Sequence, residues 1–408
     1  MKIVHINTEV RYSQAFNSIL WTKEFEKKGM KLDLFVNENN SLDKNDVNLL
    51  SGSSNQKINK TINRILGKVQ FKLGVQNRIL YENRSIFNNA KFIEADIVHL
   101  HLVNPNSISL RRIHEISLNK PLVWSWHDPW PLTGHCVYPD KCTEWDNSCK
   151  SCPDLSRNFA VNRDRTFKNR SEKYSLMSEI DMQVHVSSKW MYDLIKRSGI
   201  KLKKDPRIIP LPSLYSQSDR VNKRLSFREK HKIRDEQIVI GFRDTKQFQK
   251  NLRLVENIFI KLNPSDNLVL VSVDDVGILK QFEEKFRIIE LGNLHQIEKL
   301  EEFYTGIDLF LNLSTSEAYG MMAAEATSLK TPCLTLRGTA TSEIIQKYGG
   351  MEIQNLSEGV DFLESLILNP FHAFENLSSL INPSKISGLS VSDFAENMKS
   401  VYSQILER

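Results

Sequence analysis

Apolar residues in this 408-residue chain cluster either as continuous runs or at every third or fourth position. The runs mark strands buried on both faces, and the spaced positions mark helices with one buried side. Residues 1–7 read as a strand and residues 13–28 as a helix with Phe16, Ile19, Leu20 and Phe25 on one side. Gly29 stops that helix, and residues 30–36 form a second strand, giving a β–α–β opening. Residues 38–56, rich in Asn, Ser and Asp, read as a loop. Strands are expected at 95–101, 121–126 and 181–187, the last leading into a helix at Ser188-Lys189-Trp190. Residues 212–234 are polar and basic and read as an interdomain connection. A second series follows, with strands at 237–242, 267–273, 287–292, 308–313 and 331–336, the last completing its sheet, and helices at 252–262 and 297–305. Residues 390–406 form an amphipathic helix with Val391, Phe394, Met398, Val401 and Ile405 on its apolar side.

Chain length favours two domains over one core. No run of eighteen apolar residues exists, so no helical span is expected. The N-terminus reads as a strand, without the apolar stretch of a signal peptide, so a cytoplasmic protein is expected, with reduced cysteines. The net charge of +6 is unevenly spread. Residues 57–91 carry Lys57, Lys60, Arg64, Lys68, Lys72, Arg78, Arg84 and Lys91 against the single acid Glu82. Ile58, Ile62, Ile65, Val69 and Leu73 recur there at helical spacing beside a stripe of Lys60, Arg64, Lys68 and Lys72. Such a helix suits an anionic membrane surface or a solvated basic face. Nucleic acid is not expected as a partner, because no aromatic residues interleave with the charges.

The densest chemistry lies at Ser314-Thr315-Ser316-Glu317-Ala318-Tyr319-Gly320-Met321-Met322-Ala323-Ala324-Glu325-Ala326. A strand precedes this loop and a helix follows, which is where open α/β sheets bind ligands. Tyr319, Gly320 and Met321 would open the helix and direct N–H groups at an anion. Glu317 and Glu325, beside phosphate-binding amides, would accept hydrogen bonds from neutral hydroxyls of a sugar or ribose. Upstream, Arg243 ends a strand and Lys250 opens a helix, where fixed cations could stabilise a growing phosphate charge; Lys246 is an alternative. Asp274-Asp275 reads as the cap of the following helix.

In the first half, Trp124-Ser125-Trp126-His127-Asp128-Pro129-Trp130-Pro131-Leu132-Thr133-Gly134 follows a strand, so His127 projects from its C-terminal end. Cys136, Cys142, Cys149 and Cys152 fall next. Four thiolates within 17 residues fit a structural Zn²⁺ site with no open position, and an iron–sulfur site is the alternative. Cys333 reads as an ordinary core residue. His99 and His101 alternate along one strand and are expected on opposite faces, as structural residues.

These segments together resemble the family-4 retaining glycosyltransferases. Glu317 and Glu325 match their E-x7-E motif, and residues 127–134 match the HD-x-W-P-x-T-G segment of one branch. Asn162-Arg163-Asp164-Arg165-Thr166 is similar to the x-x-D-R-T that follows the cysteines there, and Gly338 to Ile345 to a later G-x-x-x-E-I-V. The resemblance implies the GT-B fold, with two Rossmann-like doubly wound domains facing a cleft. It places an acceptor-side domain at 1–210 with a cysteine-rich loop at 136–152, and a nucleotide-sugar domain at 211–388. The helix at 389–408 is expected to pack back toward the first domain.

The resemblance also implies roles: Glu317 and His127 on the donor sugar, Glu325 on the ribose, Arg243 and Lys250 on the leaving diphosphate, and Tyr319, Gly320 and Met321 in the donor site. The partners implied are a nucleotide-sugar donor, UDP- or GDP-linked, and a glycan or lipid-linked glycan acceptor of surface polysaccharide or O-antigen. No cofactor is implied for catalysis. The chain departs from the family in five places: the glycine-less first turn at residues 7–13, Arg243 shifted by one residue from the family's G-R, Asn251 and Lys330 where glycines are usual, and Leu211-Pro212-Ser213 after the linker strand. Arg11 and Tyr12 would narrow the site at that first turn. A sugar-nucleotide epimerase of similar fold, or a zinc-stabilised scaffold, are the alternative readings.

Overall fold

The computed structural model describes residues 1–10, 21–39, 47–50, 56–81, 84–103, 107–215, 220–245, 247–274, 277–294 and 296–407. The chain divides into two compact units, Met1–Leu211 with Val391–Arg408, and Pro212–Ser390.

The first unit holds a parallel sheet of β1 (Lys2–Val10), β2 (Lys31–Asn39), β3 (Val47–Leu49), β4 (Ile97–Leu100), β5 (Leu122–Ser125), β6 (Met182–Val186) and β7 (Arg207–Ile208). Their order is β3-β2-β1-β4-β5-β6-β7. The order reverses at β1, as in the doubly wound dinucleotide-binding fold. The strands β4, β5 and β6 are buried along their whole length, including their polar residues His99, Ser125, Gln183 and His185. The helix Val391–Leu406 belongs to this unit and buries Phe394, Met398, Val401 and Tyr402. Phe394 lies 4.7 Å from the ring of Trp21.

The second unit repeats the pattern with β8 (Ile238–Arg243), β9 (Leu268–Val273), β10 (Arg287–Glu290), β11 (Leu309–Asn312), β12 (Cys333–Leu336) and β13 (Gly350–Ile353). Their order is β10-β9-β8-β11-β12-β13, all parallel. One core runs from β8 and β9 across the helix Leu252–Lys261 to the helix Leu356–Leu368.

Three expectations need correction. Residues 212–234 are more than a connection: they contain the helix Arg220–Lys230, whose Phe227 and Arg228 are buried. Arg224 and Arg228 both bind the carboxylate of Asp308, so basic side chains hold this helix in place. The second sheet does not end at residue 336, because β13 pairs along β12. The loop expected at 38–56 contains β3, while residues 40–46 and 51–55 lie outside the described residues. The amphipathic helix read between Lys57 and Lys91 forms at Gln56–Leu73, with Ile58, Ile65 and Val69 exposed and Asn59 and Gln70 buried. Of the helix expected at 13–28, the described part is Thr22–Lys27, and residues 11–20, with Arg11 and Tyr12 of the first turn, lie outside. No helix among the described residues is long and apolar enough to cross a membrane.

Candidate active site

In the second unit, β11 ends at Asn312 and the chain turns through residues 313–320 into the helix Met321–Ser328. Gly320 makes that turn at φ +99°, and its carbonyl accepts the N–H groups of Ala323 and Ala324. A Cβ on Gly320 would stand 2.2 Å from Thr341 Cγ2 and 3.4 Å from Glu317 Oε2, so the position demands glycine twice over. The leading amides of Met321 and Met322 have no acceptor within the helix and carry the positive end of its dipole. Tyr319 is buried, and burial raises its phenol pKa well above the ordinary value, with smaller effects from Tyr348 and Glu343.

Glu317 is buried in the loop, where Oε1 receives the Ser314 hydroxyl at 2.6 Å and an ion pair from Lys250. Lys250 reaches it from the turn before the helix Leu252–Lys261. Asn251, where the family has glycine, holds φ +56° and donates its amide to Leu313 O at 3.2 Å. Asparagine is the residue that best tolerates this backbone after glycine. Lys330 likewise adopts φ +62° where glycine is usual. Arg243 ends β8, pairs with Asp274, and brings Nη1 to 3.8 Å from Met322 Sδ beside the helix mouth. Asp274 is therefore not a helix cap; Asp244 Oδ2 receives the Ile278 N–H instead, at 3.1 Å. Asp275 and Lys246 lie outside the described residues.

Glu325 sits just over one turn into the helix, where Oε2 accepts the Tyr304 hydroxyl at 2.8 Å. Burial raises its pKa to about 7, against the opposing pull of Tyr304, Arg243 and Lys250. The geometry thus gathers two cations, two carboxylates and a helix N-terminus at the C-terminal ends of β8 and β11. Tyr304, Ser314 and Asp274 are partners that the sequence reading missed.

In the first unit, His127 follows β5, and its Nε2 lies 3.1 Å from His101 Nδ1. Burial lowers its pKa to about 3, with a lesser contribution from His185. A cavity of ≈ 10 Å³, about the size of one water, lies beside it, lined by His101, Trp124, Trp126 and Asp128 among others. Burial raises the Asp128 pKa to about 6, against the Trp130 N–H that it accepts at 2.8 Å. Lys173 donates to Trp130 O at 2.5 Å and stands 4.0 Å over the Trp130 ring, and burial lowers its pKa to about 7. Nothing in the pattern around Lys173 signalled this.

His99 and His101 are not on opposite faces: their rings stack 4.1 Å apart. A strand repeats every two residues, so positions two apart share a side. His99 joins a chain whose proton direction is fixed. Ile209 O can only accept, so His185 Nε2–H donates to it at 2.8 Å. His185 Nδ1 then accepts the Ser125 hydroxyl at 2.6 Å. Ser125 Oγ accepts His99 Nε2–H at 2.7 Å, and His99 Nδ1 accepts the Tyr402 hydroxyl at 2.6 Å. This follows because burial lowers the pKa values of His99 and His185 and keeps both neutral.

The cysteine loop is stapled by the segment that follows it. Asp164 Oδ2 accepts the Cys152 N–H at 2.8 Å, and the Thr166 hydroxyl donates to Cys149 O at 2.8 Å. A Cβ on Gly134 would stand 2.4 Å from Thr166 Cβ, which ties the T-G and D-R-T segments together. Cys136, Cys142, Cys149 and Cys152 are all free thiols. Burial raises the pKa of Cys136 to about 12 and of Cys149 to about 11, and each also feels other thiols of the group. His135 Nε2 stands 3.3 Å from Cys152 Sγ. Cys333 is fully buried at the start of β12. Among the described residues, the tight group of potential metal ligands is His5, His99 and His101, with atoms within 4.8 Å of one another. His5 Nδ1 and His101 Nε2 are 2.7 Å apart, whereas nitrogens on one tetrahedral zinc stand about 3.3 Å apart. Both nitrogens of His99 are also engaged, so this group shares protons.

Residues 223–363 match the family model "Glycosyl transferases group 1". The match lies within the second unit and contains Arg243, Lys250, Glu317 and Glu325. Across 369 residues the chain is 22% identical to the putative colanic acid biosynthesis glycosyl transferase WcaC of Escherichia coli K12, covering 80% of each chain. Anabaena HepE, solved with UDP and glucose, superposes with a TM-score of 0.67 at 10% identity, over 99% of this chain and 100% of that one. WaaG, a glycosyltransferase involved in lipopolysaccharide biosynthesis, superposes with a TM-score of 0.57 at 12% identity, over 99% and 98%. The fold is α/β, with two parallel-sheet Rossmann-like domains and GT-B glycosyltransferases as structural neighbours.

Proposed function

We propose that this chain is a retaining glycosyltransferase that moves a hexose-type sugar from a UDP- or GDP-linked donor to a growing, lipid-linked glycan of a surface polysaccharide such as O-antigen. The observation that carries this reading is the convergence of Glu317, Glu325, Arg243 and Lys250 on one helix N-terminus, inside the segment that matches group 1 glycosyltransferases. The WcaC likeness supports polysaccharide biosynthesis, and the complexes of HepE support a nucleotide sugar.

The donor diphosphate takes the amides of Met321 and Met322, with Arg243 and Lys250 as its cations. As the bond from the anomeric carbon to the phosphate oxygen breaks, those cations stabilise the charge left on the β-phosphate. The acceptor hydroxyl attacks from the same side and passes its proton to the departing phosphate oxygen. Glu317 holds the sugar hydroxyls, Glu325 the ribose, and His127 the sugar ring. No metal enters these steps. Cys136, Cys142, Cys149 and Cys152 would hold a structural zinc ion, which would lower the thiol pKa values that burial raises.

The helix Gln56–Leu73 docks on anionic lipid on the inner face of the cell membrane. Its exposed Ile58, Ile65, Val69 and Phe71 beside Lys60, Arg64, Lys68 and Lys72 support this.

The test is a transfer assay with radiolabelled UDP- and GDP-hexoses and a glycolipid extract. Label should enter the lipid phase only when acceptor is present, and Glu317→Ala and Glu325→Ala should abolish it. Release of free sugar without acceptor would identify an epimerase, and full turnover by either variant would refute its assigned role.

A further inference from the structure

The guanidinium of Arg243 is held on two sides. Its Nε donates to Asp274 Oδ2, and its Nη1 stands 3.8 Å from Met322 Sδ. Asp274 follows β9, and Met322 lies in the first turn of the helix Met321–Ser328. The Arg243 side chain is 38% exposed and that of Asp274 22% exposed. A long side chain so open to water samples many rotamers unless a partner holds it.

Asp274 itself sits in an uncommon backbone. Its φ is +62°, in the left-handed region, which aspartate tolerates better than most residues with a Cβ. Its N–H donates to Gly292 O at 2.9 Å, which ties the end of β9 to the chain that follows β10. Backbone of this kind persists only where its surroundings enforce it, and it gathers at binding sites. Here it sets the carboxylate beside Arg243, at the end of β8.

Which nitrogen Asp274 takes decides what Arg243 can offer. A guanidinium presents paired N–H groups to phosphate along its inner edge, through Nε, or along its outer edge, through Nη1 and Nη2. Asp274 occupies Nε and leaves the outer edge for a ligand. Nη1 of that edge already lies against Met322, whose backbone amide is one of the two at the helix mouth. Arg243 is also among the charges that oppose the burial-driven rise of the Glu325 pKa, so it acts within the group assigned to the donor.

We propose that Asp274 is a positioning residue, which holds Arg243 by Nε and turns its outer N–H edge onto the diphosphate of the bound nucleotide. The ion pair stands by itself, and only its use on a diphosphate rests on the glycosyltransferase reading. An acid that merely repelled the ligand would give the opposite sign. Asparagine and glycine distinguish the two roles: both remove the same charge, but only asparagine keeps an oxygen that accepts from Nε. Both also tolerate the φ of +62°, so neither strains the turn.

The experiment is calorimetric titration of UDP and of GDP into the full chain, as wild type, Asp274→Asn and Asp274→Gly. The nucleotide that binds should do so about tenfold more weakly in Asp274→Gly than in Asp274→Asn, the order of cost of immobilising one long side chain. In an Arg243→Met background the two substitutions should give equal Kd. Equal Kd with Arg243 present, tighter binding by Asp274→Gly, or a difference that persists in Arg243→Met overturns the proposal. Proton–nitrogen NMR of the arginine Nε–H groups reads the hold on Arg243 without nucleotide, with its signal assigned by Arg243→Lys. That proton should exchange slowly with water in wild type and Asp274→Asn and fast in Asp274→Gly, and equal exchange in all three also overturns the proposal. If neither UDP nor GDP binds the wild type, the nucleotide reading falls, and the diphosphate role of Arg243 with it. Binding with equal Kd in the two variants leaves that reading intact and removes Asp274 alone.

Discussion

Replacing Gly320 by alanine isolates the turn on which the candidate donor site is built. The residue holds φ +99°, and the new methyl would meet Thr341 Cγ2 at 2.2 Å. Thr341 cannot easily yield, because it is fully buried and its hydroxyl is 2.7 Å from that of Thr339. Left-handed backbone costs a Cβ-bearing residue about 1–2 kcal/mol. Overpacking a buried contact adds about 1–3 kcal/mol. Gly320→Ala should therefore destabilise the second unit by about 2–5 kcal/mol. Thr341→Ser removes the clashing methyl, and the nearest remaining atoms are then Thr341 Cβ at 3.3 Å and Glu317 Oε2 at 3.4 Å. The double variant should recover the packing share and keep the backbone share, giving a coupling energy of about 1–3 kcal/mol. Every tryptophan lies between residues 21 and 190, so tryptophan fluorescence reports the first unit. Urea unfolding should accordingly be followed by far-ultraviolet circular dichroism, which also reports the second. A single variant within about 0.5 kcal/mol of wild type, or a double variant no better than the single, would refute the reasoning.

Three further outcomes follow from the same geometry. Glu325 titrates at about 7 when folded, above its ordinary value of 4.5, so its burial cost is absent below the unfolded pKa and grows as pH rises through the folded one. Wild type should lose on the order of 3 kcal/mol relative to Glu325→Gln between about pH 4.5 and 7; parallel stability–pH curves would contradict the assigned shift. Lys250→Met leaves the buried Glu317 carboxylate uncompensated and should cost about 3 kcal/mol in denaturant unfolding, whereas Lys250→Met with Glu317→Gln should lie close to wild type; equal losses would show that the pair is not coupled. Ile58→Glu with Ile65→Glu should reduce co-sedimentation with phosphatidylserine vesicles several-fold while leaving the melting temperature unchanged, because both side chains are exposed; undiminished binding would remove this helix from the proposed membrane contact.

The parts of the fold legible in the sequence were those where local pattern and burial agree. β8, β9 and β11 are apolar but for Arg243, Ser272 and Asn312 near their C-terminal ends, because parallel strands are covered on both faces. β13 escaped notice because it is a short edge strand, opening with Gly350 at φ +151° and exposing Met351. The helix Arg220–Lys230 was hidden because two of its anchors, Arg224 and Arg228, look like surface charge until Asp308 is placed beside them. At the candidate site, Gly320 and the two glutamates lie within one stretch of chain, so spacing alone placed them on a loop and a helix. Tyr304 lies 21 residues before Glu325, and its hydroxyl bond is created by tertiary packing. The histidine chain was invisible for the same reason, since its rings come from separate strands and meet only across the sheet.

The central claim is that the second unit binds a nucleotide sugar through the Glu317–Glu325 loop and helix. Thermal unfolding of wild type, Glu317→Ala and Glu325→Ala across a panel of UDP- and GDP-sugars tests it most directly. A ligand at a hundredfold its Kd stabilises by about 2.7 kcal/mol, which is roughly 5–10 °C for a unit of this size. At least one sugar nucleotide should raise the wild-type melting temperature by that amount, with the rise lost in both variants. No shift with any nucleotide sugar, or an undiminished shift in both variants, would contradict the account.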